Sequence, residues 1–337
     1  MDIKILATLG PSSLNKEDVQ RMSSDNVSLF RINLSHTKIG NVESIIKKIQ
    51  SWTDVPICLD SEGAQIRNQD MESESILFKK GEMVKIHFDN VIGNCNNISF
   101  TPKSVVPQLE IDDIIRVDFN AVKFRIVEKH NSFLMAIVED EGTVGSNKAA
   151  DVDCDISLDA VTPKDKAAFE IGLRYGVNNF SLSFTNTAKD VEEVREIIGM
   201  GSNLISKIES IKGVLNLGDI LPVVDQILID RGDLSREIPI EKIPFVQRRI
   251  ISYARSKDVP VFVATNLLES MIQTNSPTRA EVNDVASTIL MGANGLVLAA
   301  ETAIGKFPVD SVKMVNSLIC QYNRWTPESS FTDIIEN

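Results

Sequence analysis

The sequence predicts an α/β fold, a (β/α)8 barrel with a small β domain inserted into it. Three observations carry this. Eight short apolar runs of strand length lie at 3–9, 28–34, 55–59, 179–183, 203–208, 226–229, 259–264 and 295–299, separated by longer amphipathic stretches. The runs are rich in Val, Ile or Leu, as suits parallel strands buried on both faces. One interval, 68–159, breaks the rhythm with short alternating segments and turn pairs such as Asp89-Asn90 and Gly93-Asn94.

The helices between the runs have their own signals. The segment 16–22 follows Asn15, a capping residue, and 40–52 carries Ile45, Ile46 and Ile49 on one face. The segment 163–175 opens on Pro163 and is followed by Gly176. The segments 190–200, 240–256, 279–291 and 309–322 repeat the pattern. Strand followed by helix, eight times, favours a closed barrel of the TIM type over an open sheet. In the interruption, 82–88, 114–118, 122–128 and 133–139 read as strands. The expected domains are a discontinuous barrel, 1–67 with 160–326, and an inserted β-barrel-like lid, 68–159. The polar, acidic stretch 327–337 reads as a flexible tail.

Composition narrows the function. The chain is 43% hydrophobic and 24% charged, which excludes a largely disordered protein. A net charge of −12 argues against nucleic-acid binding, which needs clustered Lys and Arg. Cys58, Cys95, Cys154 and Cys320 are scattered and read as reduced thiols. The start, Met1-Asp2-Ile3-Lys4, has no secretory pattern, and no apolar run reaches spanning length, so a cytoplasmic location is expected. No P-loop occurs, Gly199-Met200-Gly201 lacks the third glycine of a dinucleotide loop, and three dispersed histidines disfavour a zinc hydrolase.

Barrels of this type carry their sites at the carboxyl ends of the strands. Those ends hold Arg31, Asn33, Ser35 and His36; Asp60, Ser61 and Glu62; Ser183; Lys207 and Glu209; Asp230 to Asp233; Thr265; and Glu301. Each alone has an ordinary reading as a helix cap, a surface ion pair or a bonded hydroxyl. Together they make a ring with two carboxylates suited to a hydrated cation, Glu209 and Asp233, and with Lys207, Arg31 and Arg67 suited to a transferred phosphoryl group or an enolate.

The segments KILATLGPS (4–12), FRINLSH (30–36), SKIE (206–209), RGDL (231–234), ATNLLESM (264–271), PTRAE (277–281) and ETA (301–303) stand in the order and spacing of pyruvate kinases. The chain resembles that family to about Leu318. The resemblance implies phosphoryl transfer from phosphoenolpyruvate to ADP. Glu209 and Asp233 would hold Mg²⁺ or Mn²⁺, and Lys207 would stabilise the phosphoryl group and the enolate. Arg31 would contact phosphate. Asn33, Ser35, Asp60 and Ser61 match the ligands of K⁺. The backbone of Arg231-Gly232-Asp233 would take the substrate carboxylate, with Thr265 in the route that protonates the enolpyruvate. Arg31, Asn33, His36, Arg67, Lys148 and Pro11 would lie toward the nucleotide.

The chain also departs from that pattern. It stops without the family's C-terminal regulatory domain, so effector control and the usual tetramer are not expected, and a homodimer through a barrel face is compatible. Glu62, Ala64 and Gln65 replace Lys, Pro and Glu, and the last change leaves the potassium requirement open. Glu62 is expected to weaken anion attraction. Asp230 replaces a small residue, Asn266 a Gln, Ser210 an Asn, and Ala299-Ala300 a Ser-Gly pair. Phe119-Asn120 replaces Asp-Gly, and 149–153 lacks the usual Asn-Leu-Pro-Gly. Two other classes therefore stay open: a metal-dependent lyase or aldolase acting through a pyruvate enolate, and a non-catalytic phosphoenolpyruvate sensor.

Overall fold

The computed structural model describes residues 3–63, 65–118, 121–154 and 156–336; the changes at Ala64 and Phe119-Asn120 lie outside the described residues. The chain forms two compact units, Met1–Gly63 with Ala160–Asn337, and Ala64–Asp159.

The first unit is a closed barrel of eight parallel strands: β1 Lys4–Leu9, β2 Val27–Asn33, β3 Ile57–Asp60, β4 Asn179–Leu182, β5 Asn203–Ile208, β6 Gln226–Asp230, β7 Val261–Ala264 and β8 Gly295–Leu298. Each predicted apolar run overlaps one of them, with β2 starting one residue earlier and β3 and β6 ending one residue later than the run. Two apolar sets alternate along the strands. Leu6, Leu29, Cys58, Ile205, Leu228, Phe262 and Val297 form a small cluster on one face, and Ile5, Phe30, Leu59, Ile208 and Ile229 join the large cluster with the helices on the other. This is the period of two that a strand imposes on its side chains. A Cβ on Gly295 would sit 2.1 Å from the Phe262 ring, so only glycine fits at the start of β8.

The helix starts follow capping chemistry. Thr162 with Asp165, Thr187 with Asp190 and Thr278 with Glu281 form reciprocal capping boxes. The helix expected from 190 therefore begins earlier, at Ala188, because Asp190 is the third residue of its box. The helix expected from 240 splits into a 3-10 turn, Ile240–Lys242, and a helix, Ile243–Arg255, with Pro244 in its first turn. The stretch expected to be a loose tail contains a short helix, Phe331–Glu336, and Ile334 joins Leu290, Leu318 and Trp325 around an apolar cavity. No helix among the described residues is long and apolar enough to cross a membrane.

Asp165 does more than cap. Its carboxylate is fully buried and accepts from Thr162 N–H at 3.0 Å and Thr162 Oγ1 at 2.8 Å. It also accepts from Glu62 N–H at 2.7 Å and Gly63 N–H at 3.1 Å, tying the chain just past β3 to the helix Pro163–Arg174. Replacing Asp165 by Ala orphans four donors, one buried and three part-buried. It should cost about 3 kcal/mol of stability, read as a lowered urea midpoint with an unchanged slope.

The second unit is a closed seven-stranded barrel, with strands Ile66–Asn68, Met83–His87, Asn97–Thr101, Ile114–Val117, Val122–Lys129, Phe133–Asp140 and Ala149–Val152. A two-stranded sheet pairs Ile76–Phe78 with Gly142–Val144. Phe78 and Phe124 meet edge to face in its core. Ile66–Asn68 pairs with Asn97–Thr101 and Ala149–Val152, so the boundary falls after Gly63 rather than after Arg67.

Candidate active site

Parallel register brings the carboxyl ends of the barrel strands together, and one polar network crosses seven of them. On β2, Arg31 is 5% exposed; its Nε donates to Thr8 Oγ1 of β1 at 2.9 Å and its Nη1 lies 3.2 Å from Asp60 Oδ2 of β3. Lys207, on β5, is the hub. Its Nζ donates to Ser183 Oγ at 3.0 Å and lies 3.1 Å from Glu209 Oε2, 3.8 Å from Asp60 Oδ2 and 4.0 Å from Asp230 Oδ2. Beyond β4, Ser183 passes the network on, its Oγ donating to Ser61 O at 2.7 Å. From β7, the Thr265 hydroxyl donates to Asp230 Oδ1 at 2.6 Å.

Burial sets the charges in this ring. It acts to lower the Lys207 pKa, but Asp60, Glu209 and Asp230 outweigh it and hold the ammonium above the ordinary lysine range. Glu209 is pushed up to about 8, by burial first and by Asp233 and Asp230 next, against the pull of Lys207. Asp233 is raised by burial and by Asp230. Burial also presses Asp230 upward, yet Lys207 and the Thr265 hydrogen bond prevail and leave it below the usual carboxylate value.

Glu209, Asp230 and Asp233 each present an oxygen within 4.8 Å of the others. Glu209 Oε1 accepts from Phe184 N–H at 2.7 Å, while the buried Oε2 accepts no hydrogen bond among the described residues and lies 3.1 Å from the ammonium of Lys207. The hard oxygens of Glu209 and Asp233 fit a magnesium or manganese ion, while Asp230 is engaged by Gly232 N–H and the Thr265 hydroxyl. In the sequence Asp230 stands among the strand-end residues and departs from the family pattern, with no role assigned to it. Its position as the last residue of β6, between two expected site residues, was the available signal.

The four residues matched to potassium are less open. Asn33 Oδ1 accepts from Ser35 N–H at 2.9 Å and Ser61 Oγ from Ser183 N–H at 2.9 Å. Asp60 Oδ1 is buried and has no hydrogen-bond partner among the described residues, which is the oxygen a cation would find.

Arg231 turns its side chain away from the ring. The guanidinium donates to Thr265 O, at 2.6 Å from Nη2 and 3.1 Å from Nε, and to Asp284 at 2.7 Å, so it braces β7 while Asp230 caps the helix Arg231–Glu237. Thr265 has φ 75° and Asn266 φ 57°; a β-branched residue adopts that conformation only where its surroundings hold it. Gly232 packs against Thr265, since a Cβ there would lie 2.8 Å from Thr265 Cγ2.

His36 is exposed at the end of the 3-10 turn Leu34–His36. Arg67 and Lys148 belong to the second unit, where Arg67 donates to Asn147 O at 2.9 Å and Lys148 lies 3.2 Å from Asp118. Glu62 does not add a bare negative charge, because Lys164 Nζ lies 2.7 Å from its Oε1 and offsets the expected loss of anion attraction. Glu301 is buried and accepts from Leu268 N–H at 3.1 Å and Ala299 N–H at 2.9 Å, joining the ends of β7 and β8.

An eight-stranded parallel barrel interrupted after β3 by a small β barrel, with a buried lysine caged by carboxylates at its strand ends, defines a class of barrel enzyme. The family model for the pyruvate kinase barrel domain matches residues 1–312. The pyruvate kinase of Thermotoga maritima is 34% identical over 94% of this chain and 70% of its own length, and that of Encephalitozoon cuniculi 31% over 97% and 77%. For the Geobacillus stearothermophilus enzyme, at 31% identity, the chain spans 56% of its length. A solved pyruvate kinase from Cryptosporidium parvum superposes with a TM-score of 0.85 at 31% identity, covering 97% of this chain and 70% of that one. The chain belongs to the pyruvate kinase family.

Proposed function

We propose that the chain transfers a phosphoryl group from phosphoenolpyruvate to ADP and protonates the resulting enolate to pyruvate. The observation that carries this reading is Lys207, a permanently charged ammonium 6% exposed and within 4.0 Å of three carboxylates at the strand ends. Phosphoryl transfer needs positioning and charge neutralisation more than covalent chemistry, and a fixed buried cation supplies both.

In this mechanism Lys207 stabilises charge on the group in flight and on the enolate oxygen. Arg31, locked by Thr8 and Asp60, faces the phosphate without having to be ordered first. Glu209 and Asp233 would hold Mg²⁺ or Mn²⁺, which when bound supplies positive charge shared between protein and phosphate. The backbone of Arg231-Gly232-Asp233 and the hydroxyl of Thr265 orient the substrate for protonation. His36 and Asn33 of the first unit serve the nucleotide. Asn33, Ser35, Asp60 and Ser61 would hold K⁺. The protein acts in the cytoplasm, in glycolysis, with a homodimer compatible with its barrel faces.

The test follows pyruvate and ATP in one tube containing phosphoenolpyruvate, ADP and Mg²⁺, with and without K⁺. Equal amounts of both products, lost by a factor of about a hundred or more in Glu209→Gln and Asp233→Asn, are expected. No ATP from folded protein, with metal-dependent release of pyruvate from a longer 2-oxo acid, would replace the reading with a lyase. Binding of phosphoenolpyruvate without either reaction would replace it with a sensor.

A further inference from the structure

Asp230 is held in the ring as a bound ligand would be. Its Oδ1 accepts from Gly232 N–H at 3.1 Å and from Thr265 Oγ1 at 2.6 Å, two donors that come from the ends of different strands. Its Oδ2 lies 4.0 Å from Lys207 Nζ. Both donors are rigid. Thr265 is fixed in a left-handed conformation, Arg231 grips its carbonyl at 2.6 Å, and its methyl interlocks with Gly232. Two preset donors beside a buried ammonium make a seat for a carboxylate, and this chain fills it with a side chain of its own.

We propose that Asp230 is a specificity-determining residue that occupies a carboxylate seat in cis, so that a ligand carboxylate enters there only by displacing it. The inference rests on the phosphotransferase reading, in which the substrate carries a carboxylate beside its phosphate. Two carboxylates cannot share the same donors, because like charges in contact repel. Displaced, Asp230 gives up charge-assisted hydrogen bonds that the incoming group must replace one for one. Affinity for a phosphorylated carboxylate is therefore lower than these donors alone would give, on the order of tenfold to hundredfold. A phosphate without a carboxylate does not meet the seat and escapes most of that penalty.

Calorimetric titration of the full chain in saturating Mg²⁺ tests this with two probes, phosphoenolpyruvate and inorganic phosphate, against wild type, Asp230→Ala and Asp230→Asn. In the alanine protein phosphoenolpyruvate should bind roughly tenfold to hundredfold more tightly, and inorganic phosphate less than about threefold. The asparagine protein keeps an acceptor for Thr265 and loses the charge, so it should show a smaller gain, again selective for phosphoenolpyruvate. Equal gains for both probes would reduce Asp230 to a general charge effect and overturn the proposal, as would no gain for phosphoenolpyruvate. If the alanine protein does not fold, the asparagine protein decides by the same comparison. ATP formation by the same proteins is scored separately. Its absence throughout overturns the phosphotransferase reading, while a carboxylate-selective gain in binding still upholds the seat.

Discussion

Replacing Lys207 by methionine should lower ATP formation by about a thousandfold. The ammonium lies 3.1 Å from Glu209, 3.8 Å from Asp60 and 4.0 Å from Asp230, and it donates to Ser183 at 3.0 Å. Methionine keeps the length and loses all of this. Three carboxylates hold the Lys207 pKa up, so the group is cationic throughout the neutral range and supplies charge rather than a titrating proton. Arginine should not restore activity, because its planar fork cannot occupy a cage built around a compact ammonium. Stability should fall as well, by about 3–5 kcal/mol, since the carboxylates are left buried without their cation. Initial rates on protein shown to be folded by circular dichroism separate the two effects. Activity within tenfold of wild type would remove Lys207 from the phosphoryl-transfer mechanism.

The barrel was legible because a parallel strand covered on both faces is written as an unbroken apolar run; Val261–Ala264 and Gly295–Leu298 stand out for that reason. The second unit was legible as a change of rhythm but not strand by strand. Ile66–Asn68 and Ile76–Phe78 are three residues long, too short for alternation to register. In the ring, Lys207, Glu209, Asp233 and Arg31 could be read as polar residues ending apolar runs. What could not be read was which of them touch. Asp165 looks like an ordinary cap for the helix beginning at Pro163, and its grip on Glu62 N–H spans 103 positions of sequence. Lys164, which neutralises Glu62, is 102 positions away from it. Thr265 is a residue type that argues against a positive φ, so its held conformation has no local signature. Asp230 was visible as a carboxylate out of place, and only closure of the barrel sets it against Thr265.

Asp60→Ala should lower the melting temperature by roughly 6–20 °C, from a loss of about 3–5 kcal/mol. Asp60 is 1% exposed, and its Oδ2 lies 3.2 Å from Arg31 Nη1 and 3.8 Å from Lys207 Nζ. Removing it leaves the Arg31 guanidinium buried beside the Thr8 hydroxyl without its carboxylate, and breaking one side of a buried pair costs far more than the pair contributes when whole. Asparagine should recover little, because an amide oxygen cannot balance the guanidinium charge. Asp60 also makes a prediction about salt. Its Oδ1 is buried without a hydrogen bond, a costly state for an ionised carboxyl, and a monovalent cation bound there would relieve it. Potassium chloride should therefore raise the wild-type melting temperature above that in equimolar tetramethylammonium chloride, whose cation is too large for the gap. In the alanine protein the two salts should act alike. Equal melting temperatures for the wild type in both salts would take the potassium role away from Asp60 and leave it solely the anchor of Arg31.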